Sequence, residues 1–203
     1  MELFGSAVIL AGGKSTRMRF DKQLLCIDEK RIIYNIADKL KCEFEDIIIV
    51  SNNPEYYKES NYKVVSDEIK QCGPLGGIHV GLKNSISRYV YFIACDIHNV
   101  DLSYISHIKN KINNLEIDAC LTHINERIEP FHGFYNKNMY DDIKLHIYKN
   151  NRKSILGFLE LNNKKLVYIN DDEFYKNRFD ESIFINLNTP KDLDNYIKEM
   201  KIG

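Results

Sequence analysis

The chain reads V-I-L-A-G-G-K-S-T-R-M-R-F-D-K from Val8 to Lys22, an apolar run that breaks at two glycines and continues with cations. A buried strand that ends in a glycine-rich turn presents backbone N–H groups at its carboxyl end. Cations beside such a turn attract phosphate groups. The stretch therefore predicts a strand followed by a cradle for a nucleoside triphosphate, with Lys22 and Arg17 as counter-cations.

Two better-known glycine motifs do not fit this stretch. Gly13-Lys14-Ser15 resembles the end of a P-loop, but Val8 stands where the first glycine of that motif belongs. A dinucleotide-binding fingerprint needs three spaced glycines, whereas only Gly12 and Gly13 occur here. The remaining pattern is L-A-G-G-x-S-x-R-M-x-x-D-K.

Around this stretch, short apolar runs alternate with segments of helical spacing along all 203 residues. This alternation predicts one α/β domain of Rossmann-like fold, with a mainly parallel central sheet and helices on both faces. The charge-rich segment Asp171–Glu181 is predicted to be a surface loop, and Gly73–Gly77 a glycine-rich loop that enters a helix. The predicted strands are Ser6–Leu10, Asp46–Val50, Tyr62–Ser66, Tyr89–Ala94, Asp118–His123, Phe131–Tyr135, Leu166–Ile169 and Ile183–Leu187.

Polar side chains follow several of these strands. Asp67 follows the third strand and Asp96 the fourth, while Leu10-Ala11-Gly12 ends the first. Because ligands collect at the carboxyl ends of strands in an open α/β sheet, we expect these groups to share one crevice. Mg²⁺ prefers one or two carboxylates together with phosphates and water, so Asp96 is the predicted magnesium ligand.

Composition excludes several classes of protein. The net charge is −1, so no overall field favours nucleic acid or an anionic membrane, and neither is an expected partner. Five cysteines without a C-x-x-C pair indicate reduced thiols rather than disulfides or a zinc site. No secretion signal and no membrane-spanning apolar run is recognisable, so the expected location is the cytoplasm.

Four ordered segments resemble the molybdenum cofactor guanylyltransferase (MobA) family of nucleotidyltransferases. They are Leu10–Lys22, Gly73–Gly77, Cys95-Asp96 and Phe184–Pro190, the last similar to the family's N-x-N-T-P segment. Glu129–Tyr135 also looks like its P-x-x-A-x-Y strand. The resemblance implies transfer of GMP from GTP to molybdenum-bound molybdopterin, with Mg²⁺ as cofactor and release of pyrophosphate.

The same resemblance implies site residues. Asn186 and Asn188 are implied for the pterin side, while Lys22 and Asp96 are implied as catalytic, with Asp96 also as metal ligand. The resemblance also implies a nucleotide-binding half at about residues 1–100 and a pterin or acceptor half at about residues 101–203. The implied partners are molybdoenzyme apoproteins and other cofactor-biosynthesis proteins. The implied nucleotide-binding residues are Leu10, Ala11, Gly12, Gly13, Lys22, Asp67 and Asp96.

Some positions depart from the family pattern, and alternatives remain open. Arg19 stands where the family usually has glycine, and His98 stands where it has proline. At the end of the second strand, where the family often has asparagine, this chain has Ser51, followed by Asn52. The alternative functions are a relative that uses CTP on molybdopterin, or one that acts on a sugar or alcohol phosphate. A non-catalytic, nucleotide-binding assembly factor for molybdoenzymes is the third alternative.

Overall fold

The structure, a computed structural model, describes residues 1–11, 22–27, 30–97, 99–150, 154–187 and 192, except the side chains of Lys22 and Ile27. The helices of the described part are α1 Ile32–Leu40, α2 Gly73–Asn84, α3 Leu102–Ile112, α4 Tyr140–Lys149, α5 Ile155–Leu161 and α6 Asp171–Lys176. Its strands are β1 Ser6–Leu10, β2 Cys26–Ile27, β3 Lys30–Arg31, β4 Asp46–Val50, β5 Lys63–Val65, β6 Tyr89–Ala94, β7 Ala119–Ile124, β8 Arg127–Asn136 and β9 Leu166–Asn170.

Seven of these strands form one sheet, in the order β5-β4-β1-β6-β8-β7-β9. Strands β5, β4, β1 and β6 are mutually parallel, as predicted, and β7 pairs in parallel with β9. Strand β8 is the exception, because it lies antiparallel between β6 and β7. The sheet is therefore mostly parallel, with one antiparallel strand that the sequence pattern did not reveal.

The antiparallel strand results from a tight hairpin between β7 and β8. Asn125 and Glu126 occupy its turn with positive φ angles of 49° and 61°. Two left-handed residues in a two-residue turn match the twist of antiparallel strands, although glycine is the usual second residue. The absence of glycine explains why the sequence gives only a weak hairpin signal here.

Helices cover both faces of the sheet, which confirms the predicted layer arrangement. In β1, Ala7 and Ile9 pack against the face that carries α1, α3 and α6. The alternate residues Val8 and Leu10 pack against the face that carries α2, α4 and α5. A strand with every residue buried in this way is typical of a sheet covered on both sides.

Two predicted elements are wrong. Asp171–Glu181 is not simply a loop, because α6 begins there after Asn170, whose side chain accepts a hydrogen bond from the Glu173 amide at 3.0 Å. Phe174 of α6 is completely buried, so a single aromatic side chain anchors an otherwise polar helix. Ile183–Leu187 is not a strand of the sheet.

The segment Ile183–Leu187 instead continues a 3-10 helix, Glu181–Phe184, and then makes a single antiparallel bridge from Asn186 to Ile97. Of its alternating apolar residues, Ile183 and Leu187 are buried in the core, whereas Ile185 between them is exposed. The sequence also predicts a final helix that starts at Asn188-Thr189-Pro190 and runs through Lys201, and of that span the structure describes Asp192 alone. Within the described ranges, no helix is long and apolar enough to cross a membrane.

Candidate functional site

Four parallel strands end level with one another. Leu10 is in register with Val50 on one side and Ala94 on the other, and Val50 is in register with Val65. The pairing continues one residue further, since the Ala11 amide donates to the Val50 carbonyl at 2.9 Å. The residues that follow the strands form a row that we call the strand-end rim, namely Ala11, Ser51-Asn52, Ser66-Asp67 and Cys95-Asp96.

Asp67 is held at one end of the strand-end rim. Its Oδ2 accepts a hydrogen bond from Asn52 Nδ2 at 2.8 Å, and Lys70 Nζ donates to Asn52 Oδ1 at 2.9 Å. Its other oxygen, Oδ1, is buried and has no hydrogen-bond partner among the described residues. A buried carboxylate oxygen without a partner is costly, so this atom is available to a bound ligand or cation.

Asp96 is at the other side of the strand-end rim, directly after β6. Its backbone carbonyl accepts a hydrogen bond from the Leu187 amide at 2.9 Å. The next residue, Ile97, bridges to Asn186. The structure therefore brings Asn186, which is 90 positions from Asp96 in the sequence, to the same edge of the sheet.

Helix α2 begins at the same edge. A third predicted element is also wrong, because the glycine-rich segment predicted as a loop is already helical from Gly73. The side chain of its N-cap residue, Cys72, makes no capping hydrogen bond. A Cβ on Gly77 would lie 2.9 Å from Leu10 Cδ2, so glycine permits the helix to lie close against the end of β1. The N-terminal amides of a helix in this position favour a bound phosphate.

Sequence reasoning missed Gln23, which is buried beneath the strand-end rim. Gln23 Oε1 accepts hydrogen bonds from Ser51 Oγ at 2.6 Å and from the Tyr57 hydroxyl at 3.2 Å. Ser51 Oγ also accepts from the Asn53 amide at 3.0 Å. This network ties the 3-10 helix that begins at Lys22 to the end of β4. In the sequence Gln23 follows the charged pair Asp21-Lys22, so no local pattern marks it as buried.

The Asp96 carboxylate of the strand-end rim fits a magnesium ion that arrives with phosphate. In the described ranges, no group of three or more His, Cys, Asp or Glu side chains could hold a metal ion by itself. Nucleotide-bound Mg²⁺ needs only one or two carboxylates, because phosphate oxygens and water fill its other positions. Asp96 is a carboxylate of the required kind. Asp67 follows β5, three strand spacings or about 14 Å from β6, so its Oδ1 would meet a different part of the ligand.

Several predicted site residues lie outside what the structure describes. These are Gly12, Gly13, Asn188 and the side chain of Lys22, together with the departures Arg19 and His98. Of the predicted nucleotide-binding residues, Leu10, Ala11, Asp67 and Asp96 are described, and all four lie at the carboxyl edge of the sheet.

His132 supports the segment that leads to Asn186. Its ring is completely buried, with Nδ1 2.5 Å from the Tyr91 hydroxyl and the ring edge-on to Phe184. Burial lowers the pKa of His132 to about 3, although the charge of Asp101 and the backbone of Ile183 act in the opposite direction. The imidazole is therefore neutral in the folded protein and has a packing role.

We expect the free energy of unfolding to decrease as the pH falls below about 6.5. The unfolded chain binds a proton at His132 with the ordinary pKa of 6.5, whereas the folded chain does not until about pH 3. Between about pH 7 and pH 5.5 this loss is about 1 kcal/mol. Asparagine tolerates the local φ of 57° and does not titrate, so the His132→Asn variant should lose this part of the pH dependence. Urea unfolding at both pH values tests this, and an identical pH dependence of the two proteins would contradict it.

Comparison with known proteins extends over nearly the whole chain. The model of a protein family described as the MobA-like NTP transferase domain matches residues 7–164. The molybdenum cofactor guanylyltransferase of Syntrophotalea carbinolica is 41% identical over 198 residues, which cover 97% of this chain and 92% of the relative. The probable molybdenum cofactor guanylyltransferase of Peptoclostridium acidaminophilum is 43% identical over 202 residues, covering 96% and 89% respectively.

Solved structures share the fold. Molybdopterin-guanine dinucleotide biosynthesis protein A from Archaeoglobus fulgidus superposes with a TM-score of 0.83 at 21% identity, covering 98% of this chain and all (100%) of the other. The 4-diphosphocytidyl-2C-methyl-D-erythritol synthase from Anaerococcus prevotii gives 0.68 at 12% identity, covering 98% and 99%. The same fold thus occurs in proteins with different names, so the residues of the site must decide between substrates.

Proposed function

Because the chain belongs to the MobA-like NTP transferase family, we propose that it is the enzyme that transfers GMP from GTP to molybdenum-bound molybdopterin. The observation that carries this proposal is the identity of 41% and 43% to two molybdenum cofactor guanylyltransferases over nearly the full chain. The alignments with these two relatives cover 97% and 96% of the chain, so they include the segment around Asn186. This segment lies beyond the family match at residues 7–164. The chain is thus a nucleotidyltransferase, and GTP and molybdopterin are its proposed substrates.

In the proposed reaction, an oxygen of the terminal molybdopterin phosphate forms a bond to the α-phosphorus of GTP. The bond from that phosphorus to the α,β-bridging oxygen breaks, and pyrophosphate leaves with the electron pair. The attacking phosphate is already anionic, so no strong general base is needed. Catalysis then depends on alignment of the two phosphates and on neutralisation of their charge.

Each predicted residue has a role in this scheme. Gly12 and Gly13 would offer backbone N–H groups to the nucleotide, Leu10 and Ala11 would contact it from the end of β1, and Lys22 would neutralise the triphosphate. Asp67 borders the nucleotide at the far end of the strand-end rim. Asp96 would hold Mg²⁺, which when bound offsets phosphate charge and fixes the phosphate geometry.

We further propose a division of labour along the chain. Residues from about 1 to 100 bind the nucleotide, and those from about 101 to 203 bind the pterin substrate. Beside Asp96, the two parts meet at the bridge between Ile97 and Asn186. The five cysteines carry thiols and form no disulfide, which supports the proposed cytoplasmic location. Molybdoenzyme apoproteins and other cofactor-biosynthesis proteins remain proposed partners.

A single assay tests the proposed activity. Purified protein, Mg²⁺ and molybdenum-bound molybdopterin are mixed with GTP or with CTP, and pyrophosphate release is measured. We expect release with GTP and much less with CTP. Preference for CTP would identify the cytidylyl relative, and nucleotide binding without pyrophosphate release would support the non-catalytic assembly factor.

The two asparagines near the C-terminus should affect the acceptor alone. Replacing Asn186 and Asn188 by alanine should weaken molybdopterin binding by about 1–3 kcal/mol, because buried polar partners would lose hydrogen bonds. GTP binding should stay within about twofold, because both asparagines are proposed to contact the acceptor and not the nucleotide. Titration of each ligand against the double variant tests this, with Asn177→Ala on the end of α6 as the matched control. Equal losses for both ligands would indicate a general structural defect instead.

A further inference from the structure

A cavity of about 460 Å³ lies between the β7–β8 hairpin and the segment Glu181–Ile185. We call it the hairpin pocket. Its walls combine the apolar side chains of Ile124, Phe184 and Ile185 with four polar residues. The volume falls in the range of about 300–1,000 Å³ that is typical of small-molecule sites, which also combine apolar walls with a few polar groups.

The hairpin pocket lies on the same edge of the sheet as Asp96. Strand β8 is antiparallel to β6, with Gly133 opposite Phe92, so the first residues of β8 extend past the carboxyl end of β6. The opposite wall leads from Phe184 to Leu187, whose amide bonds to the Asp96 carbonyl. Three residues of chain span at most about 10 Å, so the pocket is a short distance from the proposed reaction centre.

Two charged side chains of β8 line the hairpin pocket. Arg127 and Glu129 are two positions apart and share one face of the strand, while Ile128 packs against the core on the other face. Within the described ranges, the side chains of Arg127 and Glu129 form no hydrogen bond and no salt bridge. Burial raises the pKa of Glu129, partly offset by the charge of Arg127.

The other polar residues of the pocket are already engaged. Glu181 Oε2 accepts from Asn125 Nδ2 at 3.0 Å, and Glu181 Oε1 accepts from the Tyr175 hydroxyl at 2.5 Å. These bonds fix the hairpin against the 3-10 helix and leave Glu129 as the carboxylate available to a ligand. A partly desolvated carboxylate without a partner gains most from a ligand that offers two N–H groups together.

We propose that the hairpin pocket binds the pterin ring of the acceptor and that Glu129 accepts hydrogen bonds from the 2-amino-4-oxo edge of this ring. That edge presents the ring N3–H and the exocyclic amino group side by side, which matches the two oxygens of one carboxylate. Phe184 and Ile185 contact the faces of the ring, and Arg127 balances the charge of Glu129. This assignment rests on the proposed function, because that function supplies the pterin as substrate.

The test uses two free heterocycles, pterin and lumazine, which differ in whether position 2 carries an amino or an oxo group. Fluorescence titration of the full chain should give pterin an affinity roughly tenfold higher than lumazine, because only pterin offers two adjacent donors to a carboxylate. Saturating GTP with Mg²⁺ should leave pterin binding unchanged. Equal affinities for the two heterocycles, no pterin binding, or displacement of pterin by GTP would overturn the assignment.

A charge-neutral variant separates recognition from packing. Glu129→Gln keeps the shape but offers one acceptor and one donor, which suits lumazine better than pterin. We expect roughly tenfold weaker pterin binding and a reduced or reversed preference between the heterocycles. The matched control is Glu126→Gln in the hairpin turn, an exposed residue that does not line the pocket, and it should bind like the wild type. Wild-type preference in Glu129→Gln would refute the role of Glu129.

The binding and pyrophosphate-release experiments distinguish a wrong pocket assignment from a wrong proposed function. Pterin binding without pyrophosphate release from GTP and molybdopterin would refute the function and leave the pocket assignment intact. Pyrophosphate release without discrimination between pterin and lumazine would support the function and overturn the pocket assignment.

Discussion

Asp96→Asn should reduce nucleotidyl transfer by on the order of 10²–10⁴-fold while the protein remains folded. The substitution keeps the size of the side chain but removes the negative charge that would hold Mg²⁺ against the triphosphate. The hydrogen bond from the Leu187 amide to the Asp96 carbonyl involves the main chain, so this backbone anchor survives the change. Steady-state pyrophosphate release, measured with a thermal melt of the same sample, gives both quantities.

Asp101→Ala is the matched control for this variant. Asp101 is also an aspartate beyond β6, but its Oδ1 caps α3 by accepting from the Ser103 and Tyr104 amides at 2.8 and 3.1 Å. Loss of this cap should cost about 1 kcal/mol of stability and leave the rate per folded molecule near normal. If Asp96→Asn instead behaves like Asp101→Ala, Asp96 has a structural role and the metal assignment is wrong. Raising the magnesium concentration should restore little activity to Asp96→Asn.

Lys22→Ala should lower the rate by on the order of 10²–10³-fold, which corresponds to about 2–4 kcal/mol of transition-state stabilisation. The lysine follows the glycine-rich stretch, where its charge would neutralise the triphosphate as pyrophosphate leaves. Its backbone begins the 3-10 helix that Gln23 ties to Ser51 at the end of β4. This anchor restrains the backbone from which the ammonium group extends, so we expect a loss in kcat as well as in nucleotide affinity.

Lys30→Ala is the matched lysine control. Lys30 forms an exposed salt bridge with Asp38 at 2.6 Å, and exposed pairs of this kind contribute about 0–1 kcal/mol. We expect nearly unchanged turnover in this variant. Near-normal turnover in Lys22→Ala as well would remove Lys22 from the catalytic assignment. Lys22→Arg adds a second check, because it retains the charge and should recover part of the lost rate.

Local patterns in the sequence predicted the first half of the fold well. The strands β1, β4 and β6 have the predicted bounds, since each is a continuous apolar run limited by polar or glycine residues. Parallel strands that end level with one another then bring Asp67 and Asp96 to a common edge, as expected. The second half of the fold was harder to predict, because its helices and strands carry fewer continuous apolar runs. Helix α6, for example, has only six residues, and Phe174 is its buried residue.

The sequence by itself determined the kind of fold, the position of a glycine-rich stretch directly after β1 and the carboxylates that follow the strands. These features depend on local composition and on the alternation of buried and exposed positions, both of which a single chain displays directly. Only the tertiary structure decided where β8 is inserted, that Asn186 lies next to Asp96, that Gln23 holds Ser51, and that Glu129 faces a cavity. Each of these contacts joins residues far apart in sequence, and such pairings are selected by the packing of the whole chain, which no local pattern encodes.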